Sequence, residues 1–530
     1  MQLHGKQLIG GEATAQGTAT FFSVNPATGE SQSTPFHIAT VDEVNRALAL
    51  ADEAYRVYRH KTPAQIADFL LGIAAEIEAL GDDLLNMTHL ETALPLARLQ
   101  SERGRTLNQL KLFAEVAREG SWVEARIDRP IPDRKPLPKP GMRTMHIGMG
   151  PVVVFGASNF PLAISVMGND SVSALAVGCP VVVKAHRAHP GTAEMVGRAV
   201  QAAAKKHNMP AGVFSMLQGN SHEVGQSLAK HPLTKAVAFT GSLRGGRALF
   251  DAAAKRPDPI PVYAEMSSLN PVFVLPGALK ERGAQIGDAL LQSVTMGVGQ
   301  FCTKPGIVFG LASSSFDEFA AAAGKSALTA APATQLTVGI NQSYWEGLKK
   351  VGSTAGVKKL GESTVAADPA KAQAAATIFA TDVKTYEANH HLAEENFGPS
   401  ALIITCPDRE SMRQQIEKLE GHLAASIHAT DQDLKDYADL IALLEVKVGR
   451  IVLNGFTTGL ELCHSMHHGG PYPATSYSHF TSMGQAAYKR FVRPVCYQGF
   501  PDAALPAALR DKNELGLWRC VDGKLTTADL

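Results

Sequence analysis

The chain has 530 residues, of which 45% are hydrophobic, and its 50 Lys and Arg residues balance its 50 Asp and Glu residues. That length and apolar content are sufficient for a large core divided among about three domains or lobes. A formal net charge of zero gives no basic face, so the composition argues against nucleic acid as a partner.

Targeting, membrane and metal signals are absent from the sequence. Residues 1–7 contain no apolar run of the kind that begins a secretory signal. The longest mostly apolar run, residues 172–183, contains Ser, Gly and Pro and is too short to span a bilayer. The six cysteines include no C-x-x-C pair, so neither a disulfide framework nor a zinc site is expected. We therefore expect a cytoplasmic protein with reduced thiols, no membrane association and no metal.

The first part of the chain predicts helices and then an extended arm. Residues 41–120 have helical character, with Thr40 placed to cap the first helix and apolar residues recurring at helical spacing from Ile66 to Ile77. Five prolines within residues 130–140 exclude a helix there. This segment is expected to be a linker or an exposed arm.

From residue 150 onwards, short apolar runs alternate with segments long enough for helices of about three turns, which predicts βαβ units and a parallel sheet. In the first such region the runs are residues 152–155, 181–183, 213–217, 236–239 and 262–264. A second region, residues 267–454, contains the runs 307–309, 401–404, 425–428 and 451–453. The predicted fold class is therefore α/β.

Cys302 lies in a Gly- and Pro-rich turn, residues 299–306, where a thiol can be presented to a substrate. At its unperturbed pKa, about 8.5, only about a few per cent of a thiol is ionised at neutral pH. A nucleophilic cysteine therefore needs a base and a donor for the oxyanion. Taken alone, a cysteine is more often buried and inert.

Two residues that follow predicted strands could meet those needs. The amide of Asn159 could stabilise an oxyanion, a contribution worth about 10²–10³ in rate, or it could only cap the next helix. Glu265 follows the apolar run 262–264. A carboxylate partly removed from water there would have a raised pKa and could act as a base. The alternative for Glu265 is a helix cap or a surface salt bridge.

A glycine-containing turn, residues 239–246, follows another predicted strand and opens a helix. Gly241 and Gly246 allow a close backbone approach, and Ser242 can cap the helix, whose N-terminus would favour phosphate. The turn lacks the G-x-G-x-x-G fingerprint, so an ordinary strand–helix turn remains an alternative.

Considered jointly, these features resemble the aldehyde dehydrogenase superfamily. The resemblance rests on the order and spacing of Asn159, Gly241, Glu265, Cys302 and the motif Glu395-Asn-Phe-Gly-Pro399. It extends over nearly the whole chain, from Asn25-Pro-Ala-Thr-Gly-Glu30 to the tail.

The resemblance implies an aldehyde dehydrogenase fold with three parts and a homodimer or homotetramer. A Rossmann-like dinucleotide-binding domain would comprise residues 1–124 and 148–266, and an α/β catalytic domain residues 267–478. A small β oligomerisation arm with the C-terminal tail would comprise residues 125–147 and 479–530.

The resemblance also implies roles for the reacting residues. Cys302 would attack the aldehyde to give a thiohemiacetal, while Asn159 and the backbone N–H of Cys302 hold the oxyanion. Hydride transfer to a nicotinamide would leave a thioester. Glu265 would activate the water that hydrolyses it, and is also a candidate to deprotonate the thiol.

For the cofactor, the resemblance implies that Glu395 binds the nicotinamide ribose, with Phe397 packing nearby. Lys184 would reach the adenosine ribose, and Gly241 and Ser242 would lie near the pyrophosphate.

One departure from the family pattern concerns the choice of cofactor. NAD-preferring members commonly carry a Glu three residues after the lysine, and this chain has Arg187 there. A guanidinium would pair with a 2′-phosphate, whereas a carboxylate would repel it. We therefore expect NADP, with Lys184 and Arg187 as clamps and His222 as a weaker candidate. NAD remains an alternative if Arg187 points to solvent.

Two further departures, Glu265-Met-Ser-Ser and His467-His-Gly-Gly-Pro-Tyr-Pro473, occur while the usual Gly-Gln-x-Cys is kept as Gly299-Gln-Phe-Cys. Together with Phe301-Cys-Thr-Lys-Pro-Gly306 and Glu102-Arg-Gly-Arg105, these features resemble one subgroup of the family. The subgroup contains α-ketoglutarate semialdehyde (2,5-dioxopentanoate) dehydrogenases and a fatty-aldehyde dehydrogenase. The first activity, giving 2-oxoglutarate, is the preferred expectation; oxidation of a fatty or other medium- or long-chain aldehyde is the alternative.

The preference rests on one predicted helix that carries Arg103, Arg105 and Gln109. Spacing places Arg105 and Gln109 on one face, and the resemblance implies that this helix lines the substrate tunnel, where arginines suit an anionic substrate. Structural ion pairs are the alternative. The expected wall residues of the tunnel are Phe160, Met167, Phe301, Phe456 and His467.

A cysteine hydrolase is a more distant alternative, because it would share a nucleophile, an oxyanion donor and a base. Such enzymes normally pair Cys with His, and no His lies in the Cys302 turn. A hydrolase also gives no reason for the glycine turn or for the motif at 395–399. A binding protein without activity would not need all the chemical roles.

Overall fold

The structure, a computed structural model, describes residues 2–530. Its helices are α1 Val41–Tyr58, α2 Pro63–Ala79, α3 Gly81–Thr92, α4 Leu96–Glu119, α5 Asn169–Ala176, α6 Pro190–Lys206, α7 His222–Lys230, α8 Leu243–Ala254, α9 Pro276–Thr295, α10 Ser314–Thr329, α11 Val338–Gly352, α12 Val383–Ala388, α13 Arg409–Lys418, α14 Asp431–Asp436 and α15 Ala438–Glu445.

Its strands are β1 Gln7–Ile9, β2 Glu12–Thr14, β3 Thr20–Phe21, β4 Phe36–His37, β5 Arg126–Asp128, β6 Met142–Gly148, β7 Val152–Phe155, β8 Val181–Lys184, β9 Phe214–Leu217, β10 Ala236–Thr240, β11 Val262–Glu265, β12 Val272–Val274, β13 Ile307–Leu311, β14 Ala333–Thr334, β15 Lys358–Glu362, β16 Gln373–Ala374, β17 Thr377–Asp382, β18 Ser400–Cys406, β19 His422–His428, β20 Val448–Leu453, β21 Val492–Gln498, β22 Arg519–Val521 and β23 Lys524–Thr526.

The first sheet has the order β11-β10-β7-β8-β9-β1-β2. The strands from β11 to β9 are parallel, and β1 adds antiparallel to β9. Strands β7 and β8 are almost wholly buried, as expected for parallel strands covered on both faces. Chain order reverses between β7 and β10, so the carboxyl ends of these strands flank a crevice of the kind that binds ligands in open α/β sheets.

The second sheet has the order β15-β17-β18-β13-β12-β19-β20, in which only β15 pairs antiparallel. Helices α9 and α10 cover one face of this sheet through an apolar cluster that includes Leu290, Phe316 and Phe319. The turn containing Cys302 enters this sheet through β13. The alternating pattern in the sequence therefore corresponds to two parallel-type sheets, and the α/β prediction is confirmed.

A third sheet, β21-β6-β5-β22-β23, joins the segment around the prolines to the C-terminal tail. Strand β6 pairs over its full length with β21, and β22 pairs with β5. Strands β21 and β23 are the edges of this sheet. Within residues 2–530 no helix is long and apolar enough to cross a bilayer.

The helical prediction for residues 41–120 is confirmed. Helix α1 begins with a capping box in which the Thr40 side chain accepts from the Glu43 backbone and the Glu43 carboxylate accepts from the Thr40 backbone. Thr62 and Gln65 repeat this arrangement at the start of α2, where Pro63 occupies the first turn. Helices α2 and α4 then pack on α5 and α6, and this packing places α4 beside the turn that follows β7.

Candidate functional site

The nucleophile turn, residues 296–304, begins with consecutive left-handed residues. Gly297, Val298 and Gly299 have φ values of 57°, 58° and 67°. A side chain at Gly299 would meet the backbone of Gly398 at 2.2 Å, so only glycine allows this approach. The turn is therefore held against the loop that follows Glu395.

Asn270 fixes the other end of the turn. Its Nδ2 donates to the backbone carbonyl oxygens of Cys302, at 2.9 Å, and Lys304, at 3.0 Å. Asn270 is fully buried, and its φ of 48° is left-handed. The sequence pattern did not identify Asn270 as a functional residue, because its hydrogen bonds are to the backbone of a segment that is distant along the chain.

Three reactive side chains meet in front of this turn. Cys302 Sγ lies 3.5 Å from His468 Nε2, and the same nitrogen lies 3.0 Å from Glu265 Oε1. Ser482 Oγ donates to the second carboxylate oxygen, Oε2, at 2.7 Å. Glu265 and His468 are buried, whereas Cys302 remains partly accessible. The thiol and the carboxylate therefore both contact the same imidazole nitrogen, and the three groups form a compact cluster.

The pKa values of the two acidic groups follow from this arrangement. Burial alone would raise the pKa of the Glu265 carboxyl, but the charge of His468 and the hydrogen bonds from His468 and Ser482 outweigh it and hold the pKa at about 2. Burial and the neighbouring carboxylate of Glu265 raise the pKa of the Cys302 thiol well above its ordinary 9.0. The expectation of a raised Glu265 pKa is therefore wrong, because it lacked the adjacent histidine.

His468 is the main residue that sequence reasoning missed. The sequence has no histidine in the Cys302 turn, and the resemblance predicts that the neighbouring His467 lines the tunnel wall. Instead His468 approaches from a loop 166 residues further along the chain, where its backbone N–H donates to Thr481 Oγ1 at 2.8 Å. The available signal was the pair His467-His468 before Gly469-Gly470, in a loop that departs from the family pattern.

Asn159 lies in the turn after β7. It is buried, and its Nδ2 donates to the carbonyl oxygen of Gln300 at 2.9 Å. Arg98 on α4 donates to the backbone oxygen of Asn159 at 2.6 Å. One N–H of an amide group serves the Gln300 contact, which leaves the second for an oxygen near Cys302.

The expected cofactor residues lie at the carboxyl ends of β8 and β10. Lys184 Nζ donates to the carbonyl oxygens of Ala185, at 2.9 Å, and Gly219. Burial and, to a smaller extent, the charge of Arg187 lower the pKa of this lysine to about 8. Arg187 is exposed and forms no salt bridge within residues 2–530. The cationic groups here have no carboxylate partner.

The helix that opens after β10 presents its N-terminus at the same edge. Ser242 caps α8 through a hydrogen bond from the Gly245 N–H, at 3.2 Å, and Gly241 and Ser242 are exposed. A side chain at Gly246 would meet Met266 Sδ at 2.6 Å, so this glycine serves packing of α8 on β11. His222 begins α7 and is exposed.

Glu395 and Phe397 are half-buried on the loop that contacts Gly299. Burial raises the pKa of Glu395 to about 7, although Lys304 opposes the shift. Lys304 is buried and donates to the backbone oxygens of Asn396, at 3.2 Å, and Ser400, at 2.9 Å. The loop is thereby tied to the nucleophile turn.

Three residues of α4 were expected to bind an anionic substrate, and they lie in different environments. Arg103 donates to the Gly81 carbonyl oxygen at 2.8 Å and so turns towards α3, which removes it from the site. Arg105 donates only to Met483 Sδ, at 3.1 Å, within residues 2–530, and is electrostatically coupled to Cys302. Gln109 is fully buried.

The residues expected to line the wall of the substrate tunnel also lie in different environments. Phe160 and Phe301 form a ring pair with centroids 5.2 Å apart beside Met483 and Leu460. Met167 is fully buried in a core cluster that includes residues of α4 and of the first sheet. The remaining two are half-buried: Phe456 packs on His428, with ring centroids 4.8 Å apart, and His467 lies beside Gly469.

Solved structures with this architecture include HpcC from Thermus thermophilus, with a TM-score of 0.80 and 22% identity over 94% of both chains. Another is 3,6-anhydro-L-galactose dehydrogenase in complex with NAP, with a TM-score of 0.78 and 21% identity over 94% of this chain and 100% of that chain. At these identities the comparison establishes the fold.

Relatives with much higher identity span the whole chain. Alpha-ketoglutaric semialdehyde dehydrogenase 2 of Azospirillum brasilense is 47% identical over 525 residues, 99% of this chain and 100% of that protein. Alpha-ketoglutaric semialdehyde dehydrogenase of Acinetobacter baylyi is 45% identical over 524 residues, 99% of each. The sequence pattern of the aldehyde dehydrogenase family matches residues 13–489. The chain therefore belongs to the aldehyde dehydrogenase family and is an oxidoreductase that converts an aldehyde to a carboxylic acid.

Proposed function

We propose that this enzyme oxidises α-ketoglutarate semialdehyde (2,5-dioxopentanoate) to 2-oxoglutarate with NADP, using Cys302 as nucleophile. The contact of Cys302 with His468, and of His468 with Glu265, supports the chemistry. A row of polar groups on α4 supports the assignment of this substrate.

Cys302 is a protonated thiol at rest, because burial and Glu265 raise its pKa. As sulfur attacks the aldehyde carbon, the thiol proton passes to the hydrogen-bonded pair formed by His468 Nε2, 3.5 Å from Sγ, and Glu265 Oε1, 3.0 Å from that nitrogen. The resulting thiohemiacetal oxyanion receives hydrogen bonds from Asn159 Nδ2 and the Cys302 backbone N–H.

The residues at the ends of β8 and β10 fit a dinucleotide. Lys184 and Arg187 have no carboxylate partner within residues 2–530, and the exposed N-terminus of α8 suits a pyrophosphate. Lys184 would bind the adenosine ribose, Arg187 the 2′-phosphate and Glu395 the nicotinamide ribose. A bound nicotinamide would supply the hydride acceptor for oxidation of the thiohemiacetal to a thioester on Cys302.

Hydrolysis of the thioester needs a base for water, and Glu265 is placed for it. Although burial opposes it, the hydrogen bonds and charge around Glu265 hold its pKa at about 2, so the carboxylate is ionised and can accept a proton from water. Ser482 keeps the carboxylate oriented throughout.

The preference for a keto-acid rests on polar atoms without partners along one face of α4. Arg98, Glu102, Arg105 and Gln109 occur at helical spacing, and each keeps at least one buried polar atom without a hydrogen bond. Buried polar groups need partners, and a fatty chain offers none. A short aldehyde with a carboxylate and a keto oxygen offers acceptors to both arginines and to the glutamine.

A kinetic panel tests the proposal. The rate of nicotinamide reduction is measured with NADP and with NAD, for 2,5-dioxopentanoate, pentanal and decanal. We expect the highest kcat/KM with NADP and the keto-acid. A higher kcat/KM for decanal would favour the fatty-aldehyde alternative, and ester cleavage without nicotinamide reduction would favour a cysteine hydrolase.

We further propose that the first sheet and its helices, residues 1–124 and 148–266, bind the dinucleotide, and that residues 267–478 form the catalytic domain. The third sheet would be the oligomerisation arm, formed by residues 125–147 and 479–530. Exposed apolar side chains on this sheet and its loops support that role; they are Leu137, Phe500, Trp518 and Leu525.

A further inference from the structure

We propose that Cys302, His468 and Glu265 also form a binding site for a thiophilic divalent cation such as Zn²⁺, which would inhibit the enzyme reversibly. The three side chains each offer one ligand atom, and these atoms all lie within 4.8 Å of one another. Thiolate, imidazole and carboxylate are the ligand types that zinc binds in proteins.

The distances suit tetrahedral coordination. Bond lengths of about 2.3 Å to sulfur and about 2.0–2.1 Å to nitrogen and oxygen predict separations of about 3.6 Å for S···N and about 3.3 Å for N···O. Cys302 Sγ and His468 Nε2 are 3.5 Å apart, and His468 Nε2 and Glu265 Oε1 are 3.0 Å apart. These two separations differ from the tetrahedral values by at most a few tenths of an ångström, and all three ligand atoms lie within 4.8 Å of one another.

The surroundings provide orientation and access. Ser482 Oγ holds Glu265 Oε2 at 2.7 Å, which leaves Oε1 directed at His468, and hydrogen-bonded ligands of this kind bind metals more tightly. A small cleft reaches both Glu265 and His468, and its wall includes Thr475 and Ser482. With three protein ligands, the fourth position is left to water.

Binding would exchange the thiol proton for the cation, and the proton would leave to solvent. The sulfur lone pair that attacks the aldehyde would then be bonded to metal, and both candidate bases would be bonded to it as well. The sequence predicted no metal site because these ligands come from three distant segments and have no local spacing. This inference concerns inhibition and is independent of which aldehyde is the substrate.

The test uses untagged, full-length protein and Co²⁺ as the probe. We expect one equivalent of Co²⁺ to give a near-ultraviolet thiolate-to-cobalt charge-transfer band that Zn²⁺ displaces. The band should be absent in Cys302→Ser, and His468→Gln should weaken Co²⁺ binding by at least about 10-fold. Cys463→Ser, which removes an accessible cysteine beside His464, should keep the band.

A second measurement does not depend on variants. Zn²⁺ should slow alkylation of Cys302 by iodoacetamide, and EDTA should restore both the alkylation rate and the activity. The proposal fails if the band persists in Cys302→Ser, if His468→Gln binds Co²⁺ as tightly as the parent, or if Zn²⁺ leaves the alkylation rate unchanged. Circular dichroism and NADP binding confirm that the variants are folded.

Discussion

At the level of single residues, the charge of Glu265 controls the reactivity of Cys302. The carboxylate stays ionised because His468 and Ser482 hold its pKa at about 2, and its negative charge raises the pKa of the thiol. At rest, Glu265 therefore keeps the Cys302 thiol protonated and less reactive. The thiol becomes a nucleophile only when an aldehyde is present and its proton can be transferred. Sequence reasoning identified Cys302 and Glu265 but could not assign this coupling without His468.

The first prediction concerns the ionisation of Cys302. Because its thiol pKa is raised above 9.0, the rate of alkylation by iodoacetamide should increase with pH and show no plateau below pH 9. Glu265→Gln removes a negative charge near sulfur, so the pKa should fall and alkylation at pH 7 should become faster. Mass spectrometry of the Cys302 peptide measures both rates.

Slower alkylation in Glu265→Gln would mean that the carboxylate deprotonates the thiol at rest, contrary to this prediction. Cys463→Ser is the control, because this accessible cysteine does not belong to the cluster of Cys302, His468 and Glu265. Its loss should leave the rate of alkylation at Cys302 unchanged.

At the level of elements, α4 determines which of its side chains approach Cys302. Sequence spacing placed Arg105 and Gln109 on one face but could not distinguish the roles of Arg103 and Arg105. The fold rotates Arg103 towards Gly81 and leaves Arg105 beside Met483. This rotation depends on which face of α4 packs on α2, and that is a property of two helices together.

The second prediction uses this pair of arginines. Arg105→Met removes a half-buried cation without an oxygen partner, so the KM for 2,5-dioxopentanoate should rise by at least about 10-fold, since charge-assisted hydrogen bonds contribute about 1.5–3 kcal/mol. The KM for pentanal should change little. Arg103→Met is the matched control on the same helix and should leave both KM values unchanged.

Steady-state kinetics with the two aldehydes provides the readout. Equal increases of KM for both substrates in Arg105→Met would indicate a structural role for this arginine and would count against the keto-acid.

The third prediction concerns the loop between β8 and α6. Arg187→Glu places a carboxylate where the 2′-phosphate is expected, and repulsion should raise the KM for NADP by at least about 10-fold. The KM for NAD should stay equal or fall. Arg187→Gln should lie between the parent and Arg187→Glu, and a parent enzyme that prefers NAD would contradict the assignment.

At the level of the whole molecule, two parallel-type sheets meet at the reactive residues, and the third sheet extends away from them. Asn159 and Glu265 follow or end strands of the first sheet, Cys302 precedes a strand of the second, and His468 comes from a loop after β20. An isolated bridge between Glu265 and Thr475 joins that loop to β11. The site therefore exists only when both sheets are assembled.

The fourth prediction concerns assembly. Light scattering should give a mass of at least twice the 56.3 kDa of one chain. Combining Trp518→Arg with Leu525→Arg places charges on the exposed apolar surface of the third sheet and should shift the mass towards one chain. Val446→Arg, at a 67% exposed position outside that sheet, is the control and should not. A parent mass of one chain would contradict the prediction.

The α/β class, the helices of residues 41–120 and the candidacy of Cys302, Asn159 and Glu265 could all be predicted from the linear sequence. Hydrophobic period, prolines and strand-end motifs are local, so they can be detected without a fold. Only the tertiary structure showed that His468 contacts Cys302 and that Asn270 hydrogen-bonds the backbone of the nucleophile turn. It also showed that Arg105, and not Arg103, lies near Cys302. These contacts join segments far apart in the sequence, and packing of whole elements determines them.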